Sequence, residues 1–185
     1  MSTSTTVPAT FSTWKIDPAH SSAEFKVKHM MISHVKGKFS GISGILTLHE
    51  SDHGLSSVEA SVPIATISTG DEQRDGHLKS VEFFHAEKHP EMTFKSTRVE
   101  RIAPGELAVT GDLTMHGVTK TVTFAVEGPS EPAKDPWGNL RIGLSATTKV
   151  NRKDFDLTWN AALETGGMLV GEDVTITLDV EFIKG

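Results

Sequence analysis

The sequence contains neither cysteine nor tyrosine, and it has few basic residues for its acidic content. Without cysteine the chain cannot form a disulfide, a thiolate zinc site, an iron–sulfur cluster or a cysteine nucleophile. Eighteen Lys and Arg stand against 24 Asp and Glu, which gives a formal net charge of −6 with the nine histidines neutral. Because nucleic-acid-binding domains normally carry a basic face, we expect no nucleic-acid partner.

Long hydrophobic runs are also missing. No stretch approaches the roughly 18 apolar residues of a membrane helix, so we expect no integral membrane segment. Residues 1–8 lack the basic and apolar regions of a signal peptide, which indicates a cytoplasmic protein. The length of 185 residues suits one domain. We predict a disordered polar leader over residues 1–12 and a single domain over residues 13–185.

The chain is rich in residues that favour β-strands. Threonine, valine and isoleucine together make up 46 of the 185 residues. Apolar and polar residues alternate strictly in six segments, which predicts strands that bury one face. These segments are 23–29, 58–64, 107–113, 118–126, 140–146 and 174–182. The apolar phase changes within residues 35–49 near Gly41 and Gly44, and we interpret this segment as one long strand bent in the middle.

One region breaks the β pattern. Residues 69–79 are polar, with acidic residues early and Lys79 late, and a second short segment at 80–85 has Ser80 as a possible cap. We therefore predict one or two short helices at a sheet edge or barrel mouth. About eight antiparallel strands with few helices leave a closed barrel or a sandwich, and the bent strand favours the barrel.

The histidines do not form a familiar catalytic motif. The segment His85-Ala86-Glu87-Lys88-His89 differs from H-E-x-x-H in the position of its glutamate. It also contains the H-x-E of zinc deaminases, but the cysteine ligands of those enzymes are missing. We therefore expect no metal. No nucleophile elbow or phosphate-binding loop is present either.

Some residues could serve a cavity. His29 continues the apolar phase of its strand, so it is either a hydrogen-bonded core residue or a ligand contact. Arg74 and Arg152 could bind a polar or anionic group, or they could pair with local acids. His77 lies close to Arg74 in the sequence and could join either arrangement. Small residues on inward phases would leave space inside a barrel: Gly37, Ala60, Gly111 and Ala146.

An ordered series of motifs carries a family resemblance. It covers residues 14 to 183 and consists of the segments 14–21, 25–29, 35–39, 67–78 with Phe83-Phe84, 111–119 and 152–160. This series resembles the YceI-like polyisoprenoid-binding family. The resemblance implies an extended, lipocalin-like antiparallel barrel whose apolar tunnel binds a long isoprenoid, such as a polyprenyl quinone precursor, or a fatty-acid derivative. The family usually has glycine where this chain has Asp156, and aspartate is a good substitute if that position has positive φ.

The leading hypothesis is therefore a non-catalytic protein that transports or sequesters a lipid and needs no cofactor. The predicted tunnel residues are Phe25, Val27, His29, Phe39, Val62, Phe94, Val109, Phe124, Leu144, Phe155 and Trp159, with Arg74, His77 and Arg152 at the mouth. Two alternatives stay open. One is an enzyme on a lipophilic substrate with a histidine general base, such as His29 or His77. The other is a stress-response interaction module with a filled barrel. Family analogy alone suggests a possible homodimer.

Overall fold

The computed structural model describes residues 10–185 and is built mainly of antiparallel strands. These are β1 (Phe11–Ile16), β2 (Ser22–His29), β3 (Ser33–Phe39), β4 (Ser43–His49), β5 (Ser57–Pro63), β6 (Glu91–Ala103), β7 (Glu106–Met115), β8 (Val118–Glu127), β9 (Ala133–Lys134), β10 (Leu140–Asn151) and β11 (Val170–Lys184). The helix α1 spans Glu72–Lys79, and short 3-10 turns occur at Pro18–His20, His53–Leu55, Ile64–Thr66 and Arg152–Phe155. The leader predicted for residues 1–12 overlaps β1 at its end, and residues 1–9 lie outside the described part of the chain.

The strands close into a barrel. Hydrogen-bonded neighbours run from β11 through β1, β4, β5, β6, β7, β8 and β10, and β10 pairs again with β11. The remaining strands, β2 and β3, pair with each other outside this ring of eight. The first part of β11 pairs with β2 and its last part pairs with β1, so β2 and β3 extend the wall of the barrel beyond β1 and β4 at one end. The predicted eight-stranded, lipocalin-like antiparallel barrel is confirmed, with additional strands at its margins.

The single bent strand predicted over residues 35–49 is instead two strands with different partners. β3 pairs with β2, whereas β4 pairs with β1 and β5. Residues 40–42 between them leave the sheet, and Gly41 adopts a φ of +69° there. The change of apolar phase therefore marks a break at which the chain exchanges neighbours, which a bulge within one strand would not do.

The one helix in the described chain lies at the end of the barrel where β5 and β2 finish, which we call the helix end. Its N-cap is Asp71, whose side chain accepts a hydrogen bond from the Arg74 backbone N–H at 2.9 Å. The prediction of one or two short helices is thus met by one. Residues 80–85 form turns instead of a second helix, and the Ser80 carbonyl accepts backbone hydrogen bonds from the N–H groups of Phe83 and His85. No helix within residues 10–185 is long and apolar enough to span a bilayer.

Glycines on the inward phase do not simply leave space. Gly37 lies opposite Phe25, and a β-carbon at Gly37 would lie 2.4 Å or less from two atoms of the Phe25 ring. A β-carbon at Gly111 would likewise lie 2.6 Å from the Phe94 ring and 2.4 Å from the Lys95 carbonyl oxygen. Two of the four small residues therefore allow an aromatic ring to lie against the backbone. Ala60 and Ala146 do line the interior space, as predicted.

An ion-pair network at the opposite end of the barrel joins three segments through Arg141 of β10. Its guanidinium donates to Asp17 at 2.7 Å, to Glu181 at 2.6 Å and to Asp135 at 2.8 Å. The hydrogen bond from Arg141, helped by a smaller one from His20, lowers the pKa of Asp17 to about 2. The three carboxylates raise the pKa of Arg141 above its ordinary value. The network thus connects the turn that follows β1 to β10 and β11.

We expect Gly111→Ala to lower the free energy of unfolding by about 1–3 kcal/mol, because the new β-carbon meets fixed backbone atoms of β6. The matched control is Gly76→Ala, in α1, where a β-carbon meets nothing within 4 Å. This control should gain up to about 1 kcal/mol of stability, since alanine favours a helix over glycine. Urea unfolding of both variants measures the difference, and equal stabilities would contradict the close approach at Gly111.

Replacement Arg141→Met should lower the melting temperature at pH 7, with exposed Arg101→Met as the control. The pKa of Asp17 is depressed in the folded state, so its contribution is fully present above the unfolded value of about 3.9. That contribution is lost as the pH falls through about 2. The difference in melting temperature between the wild type and Arg141→Met should therefore become smaller as the pH falls from 4 to 2. A difference that stays constant across this range in thermal melts would show that the Asp17 pair does not contribute.

Candidate ligand-binding cavity

The barrel encloses a cavity of about 870 Å³. Its middle is lined by apolar side chains of the inward strand faces: Val109, Phe124, Leu144, Ala146 and Leu178. Its lining extends to Trp159 and Arg74 at the helix end and to His53 and Pro129 toward the other end, so the cavity follows the length of the barrel. The interaction-module hypothesis required an interior filled with side chains. Such a filled interior is not observed.

The structure places nearly all of the predicted site residues in this lining. On the cavity wall are Phe25, Val27, His29, Phe39, Val62, Phe94, Val109, Phe124, Leu144, Trp159, Arg74, His77 and Arg152. Phe155 is the correction: it is buried to 1% exposure in a cluster with Leu113, Val150 and Leu157, outside the cavity wall. It lies in the 3-10 turn after β10, where strand alternation no longer gives the direction of a side chain. Contact of the others with a ligand stays a prediction.

Several lining residues were not named from the sequence. Ile176 and Leu178 share the inward phase of β11, and Met92 opens β6 opposite Val62. Their alternation with polar neighbours was visible in the sequence and could have identified them. Leu169 also lines the cavity, but it lies in the loop before β11, for which periodicity gives no signal. Lys28 borders the cavity at the helix end, although it is exposed and has the outward phase of β2.

Arg152 is a structural cation at the helix end, buried to 5% exposure. Its Nε donates to the Gly171 carbonyl at 2.7 Å, and Nη1 donates to the carbonyls of Leu157 at 2.6 Å and Trp159 at 2.9 Å. Burial lowers the pKa of Arg152, although the charge of Glu172 opposes this shift. The guanidinium therefore fastens the segment after β10 to the start of β11, and these bonds occupy the donors that a headgroup would need.

The turn that follows Phe155 has the backbone conformation expected from the sequence. Asp156 adopts a φ of 57° and a ψ of 21°, in the left-handed region that favours glycine. Asn160 then holds the segment against β11, because its amide donates to the Val170 carbonyl at 2.7 Å and accepts from the Val170 N–H at 2.9 Å. Aspartate at 156 thus preserves the course of the chain toward Trp159.

The guanidinium of Arg74 has fewer hydrogen-bond partners than that of Arg152. Its Nε donates to the Thr69 hydroxyl at 2.7 Å, and Nη2 donates to the Thr69 carbonyl at 2.9 Å. Asp75 accepts instead from Thr69, at 2.8 Å from its N–H and 2.6 Å from its hydroxyl. Within residues 10–185 no carboxylate lies in ion-pair distance of Arg74. For Arg74, the alternative of pairing with local acids is therefore not observed.

His77 packs in an aromatic cluster at the same end. Its ring meets Phe83 and Trp159 edge-on, with centroid distances of 5.0 Å and 4.7 Å. Its Nε2 lies 2.5 Å from a carboxylate oxygen of the exposed Glu82. Phe83 and Trp159 also contact each other at 5.3 Å. The cluster joins the turn after α1 to the segment after β10 and forms part of the cavity wall.

The two histidines of the enzyme hypothesis lack a hydroxyl partner in the described chain. The ring of His29 makes no hydrogen bond or ion pair within residues 10–185, and the ring of His77 bonds only to Glu82. A general base acts on a proton that it can reach at about 2.6–3.2 Å. No serine or threonine of this region is therefore activated by either ring in the structure.

The remaining histidines do not assemble a metal site in the structure. The rings of His85 and His89 lie 6.0 Å apart, and His116 lies 5.2 Å from His89. In the described chain only Asp17, His20 and Glu181 bring three ligand atoms within 4.8 Å of one another. Both carboxylates of that group already bind Arg141, as described above, so this group is an ion-pair network.

Comparison with known proteins gives consistent results. The model of the family described as "YceI-like domain" matches residues 14–182. A UPF0312 protein of Staphylococcus aureus is 38% identical over 168 residues, which are 90% of this chain and 94% of the relative.

Two solved structures share the fold. The Campylobacter jejuni YCEI protein is 31% identical with a TM-score of 0.71, over 86% of this chain and 91% of that one. A polyisoprenoid binding domain from Saccharophagus degradans, implicated in plant cell wall breakdown, has a TM-score of 0.67 at 14% identity, over 93% and 98%. At that identity the second likeness concerns the fold alone.

We expect Arg152→Lys to loosen the segment 157–171, because one ammonium group cannot reach the carbonyls that the planar guanidinium joins. Two unsatisfied buried carbonyls should lower the free energy of unfolding by about 2–4 kcal/mol. Hydrogen exchange should become faster at the amides of Leu157 and Val170, both hydrogen-bonded in this segment. Exposed Arg98→Lys is the control. Unchanged exchange at both amides would mean that Arg152 does not hold the segment.

Proposed function

Because the chain belongs to the family of YceI-like domains, we propose that its barrel binds a long-chain isoprenoid or a similar amphiphilic lipid without catalysis. The observation that carries the proposal is the apolar cavity of about 870 Å³ along the barrel. The protein of the same fold from Saccharophagus degradans is a polyisoprenoid binding domain, which supports this class of ligand. The role would be transport or sequestration, and a polyprenyl quinone precursor is the cargo we favour.

The chemistry of the wall suits a hydrocarbon tail. An isoprenoid chain has no hydrogen-bonding groups, so Phe124, Leu144 and their neighbours need to offer only apolar surface. Each methylene-sized group that leaves water contributes up to about 0.8 kcal/mol, reduced by the cost of ordering the chain. At about 30 Å³ per group, the volume of one water molecule in the liquid, the cavity accommodates about 29 groups. This corresponds to close to six five-carbon units.

A polar headgroup would lie at the helix end. Arg152 is occupied by backbone carbonyls, so the contact falls to Arg74 and His77, which line the cavity there. Arg74 lacks a carboxylate partner in the described residues, which favours an anionic or polar headgroup over a cationic one. No cofactor is needed for such binding.

Native mass spectrometry of protein purified without detergent tests the proposal. We expect a co-purified lipid, or binding of an added polyprenyl compound of about six units. Ala146→Phe should abolish binding, since the new ring enters the cavity midway along β10. Thr147→Phe is the matched control, because the neighbouring side chain is exposed.

The results distinguish the alternatives. Loss of lipid in Ala146→Phe with retention in Thr147→Phe supports the proposed cavity. Absence of lipid in the wild type, together with no binding of added isoprenoid, would contradict the proposal. Conversion of a bound lipid, lost in His29→Ala or His77→Ala while binding persists, would instead support the enzyme hypothesis.

A further inference from the structure

The hairpin of β2 and β3 carries positive charge on an otherwise acidic chain. It spans Ser22–Phe39 and contains four lysines and one glutamate, a formal charge of +3, so the rest of the chain carries −6 − 3 = −9. All four lysines are exposed: Lys26, Lys28, Lys36 and Lys38. Strand alternation places them on the outer face, opposite to the face that contains Phe25 and Phe39.

Both lysines on β2 have a basic residue directly across from them on β3. Lys26 lies directly across from Lys36, and Lys28 across from His34. Like charges in directly opposed positions destabilise an antiparallel pair. In residues 10–185 none of the four has a carboxylate in ion-pair distance. Glu24 lies on the same face, directly across from Lys38, so it offsets one of the four charges. The face keeps a net formal charge of +3 and is complementary to an anionic surface.

The tip of the same hairpin is apolar and has an unfavourable backbone. Met30, Met31 and Ile32 are 41%, 55% and 83% exposed. Met30 and Met31 have φ values of 51° and 62°, the two left-handed central positions of a type I′ turn, where Asn-Gly is favoured. Two bulky apolar residues at such positions improve neither the turn nor the core, and they leave an apolar surface exposed at the tip.

The tip belongs to the helix end, where the cavity lining reaches the surface. The Met30 N–H donates to the Leu169 carbonyl at 2.8 Å, and both His29 and Leu169 line the cavity. Met168, next to Leu169, is another apolar side chain with 43% exposure. A surface that receives the tip would therefore also lie against this end of the cavity.

From these features we infer that the β2–β3 hairpin docks the protein on an anionic lipid bilayer. The four lysines attract the charged headgroups, and Met30, Met31 and Ile32 enter the boundary between headgroups and acyl chains. Docking brings the helix end of the cavity to the membrane, which is the source or destination of a lipid cargo. Only that last step rests on the proposed function, since docking itself does not require a loaded cavity.

Lysines also protect exposed edge strands from pairing, and β3 is the terminal strand of the sheet. That role accounts for Lys36 and Lys38. It does not account for Lys26 and Lys28, which lie on the inner strand β2, nor for an exposed apolar tip, which edge protection would remove.

Flotation of the full chain with vesicles tests the inference. We expect binding to phosphatidylcholine vesicles that contain one third phosphatidylglycerol, weakening as salt rises, and no binding to phosphatidylcholine alone. Lys26→Ser combined with Lys36→Ser should lower the partition coefficient about 30-fold, five- to sixfold for each lysine. The matched control is Lys120→Ser with Lys149→Ser, which removes the same charge from exposed positions on β8 and β10.

A second variant removes the apolar tip without harming the turn. Met30→Asn with Met31→Gly supplies the dipeptide that the backbone favours, so the melting temperature should stay level or rise while partition falls at least about tenfold. No wild-type binding to anionic vesicles, or equal losses in the hairpin and control variants, would overturn the inference. So would a tip variant that turns a dimer into a monomer in light scattering. Lipid content by mass spectrometry, measured on the same variants, separates a docking defect from a failure to hold cargo.

Discussion

β11 is hydrogen-bonded along both edges, and the barrel depends on this double pairing. On one side it runs against β10 without interruption from Arg141 opposite Ile183 to Asn151 opposite Asp173. On the other side it pairs with β2 and then with β1. Because the first and last thirds of the chain meet here, closure leaves the inward phases of eight strand positions facing one interior. Without this seam the apolar faces would have no common space to enclose.

The same seam positions the helix end of the cavity. β10 stops at Asn151 and β11 starts at Val170, so the chain between them must be held by side chains. Arg152 and Asn160 do this by binding backbone groups on both sides of the gap. Their hydrogen bonds fix the segment that delivers Trp159 to His77. The buried polar groups of Arg152 and Asn160 therefore hold in place an apolar part of the cavity wall.

Period-two alternation predicted most of the strands and most of the cavity wall, because each is decided by which face of a strand is apolar. It did not mark β1 or β6, and it did not choose between a barrel and a sandwich. The bent strand that favoured the barrel is absent, so the barrel was predicted correctly only through the family resemblance. Alternation failed where direction depends on a distant partner. Residues 35–49 changed neighbours at Gly41, and Phe155 followed a turn, so alternation had no meaning at either place. The role of Arg152 was also beyond the sequence, since its carbonyl acceptors belong to Leu157, Trp159 and Gly171.

The cavity has a consequence for how long the protein lasts. Side chains that would otherwise interdigitate at the centre of the barrel face about 870 Å³ of space instead, so the empty protein lacks part of its own core. If the proposed lipid binds there, its tail would supply the missing contacts, and a ligand at 100 times its dissociation constant would stabilise the folded state by about 2.7 kcal/mol. Unfolded chains are the ones that proteases degrade, so degradation would slow as more of the protein carries ligand. The abundance of the protein would thus follow the supply of its ligand with no regulator other than the fold.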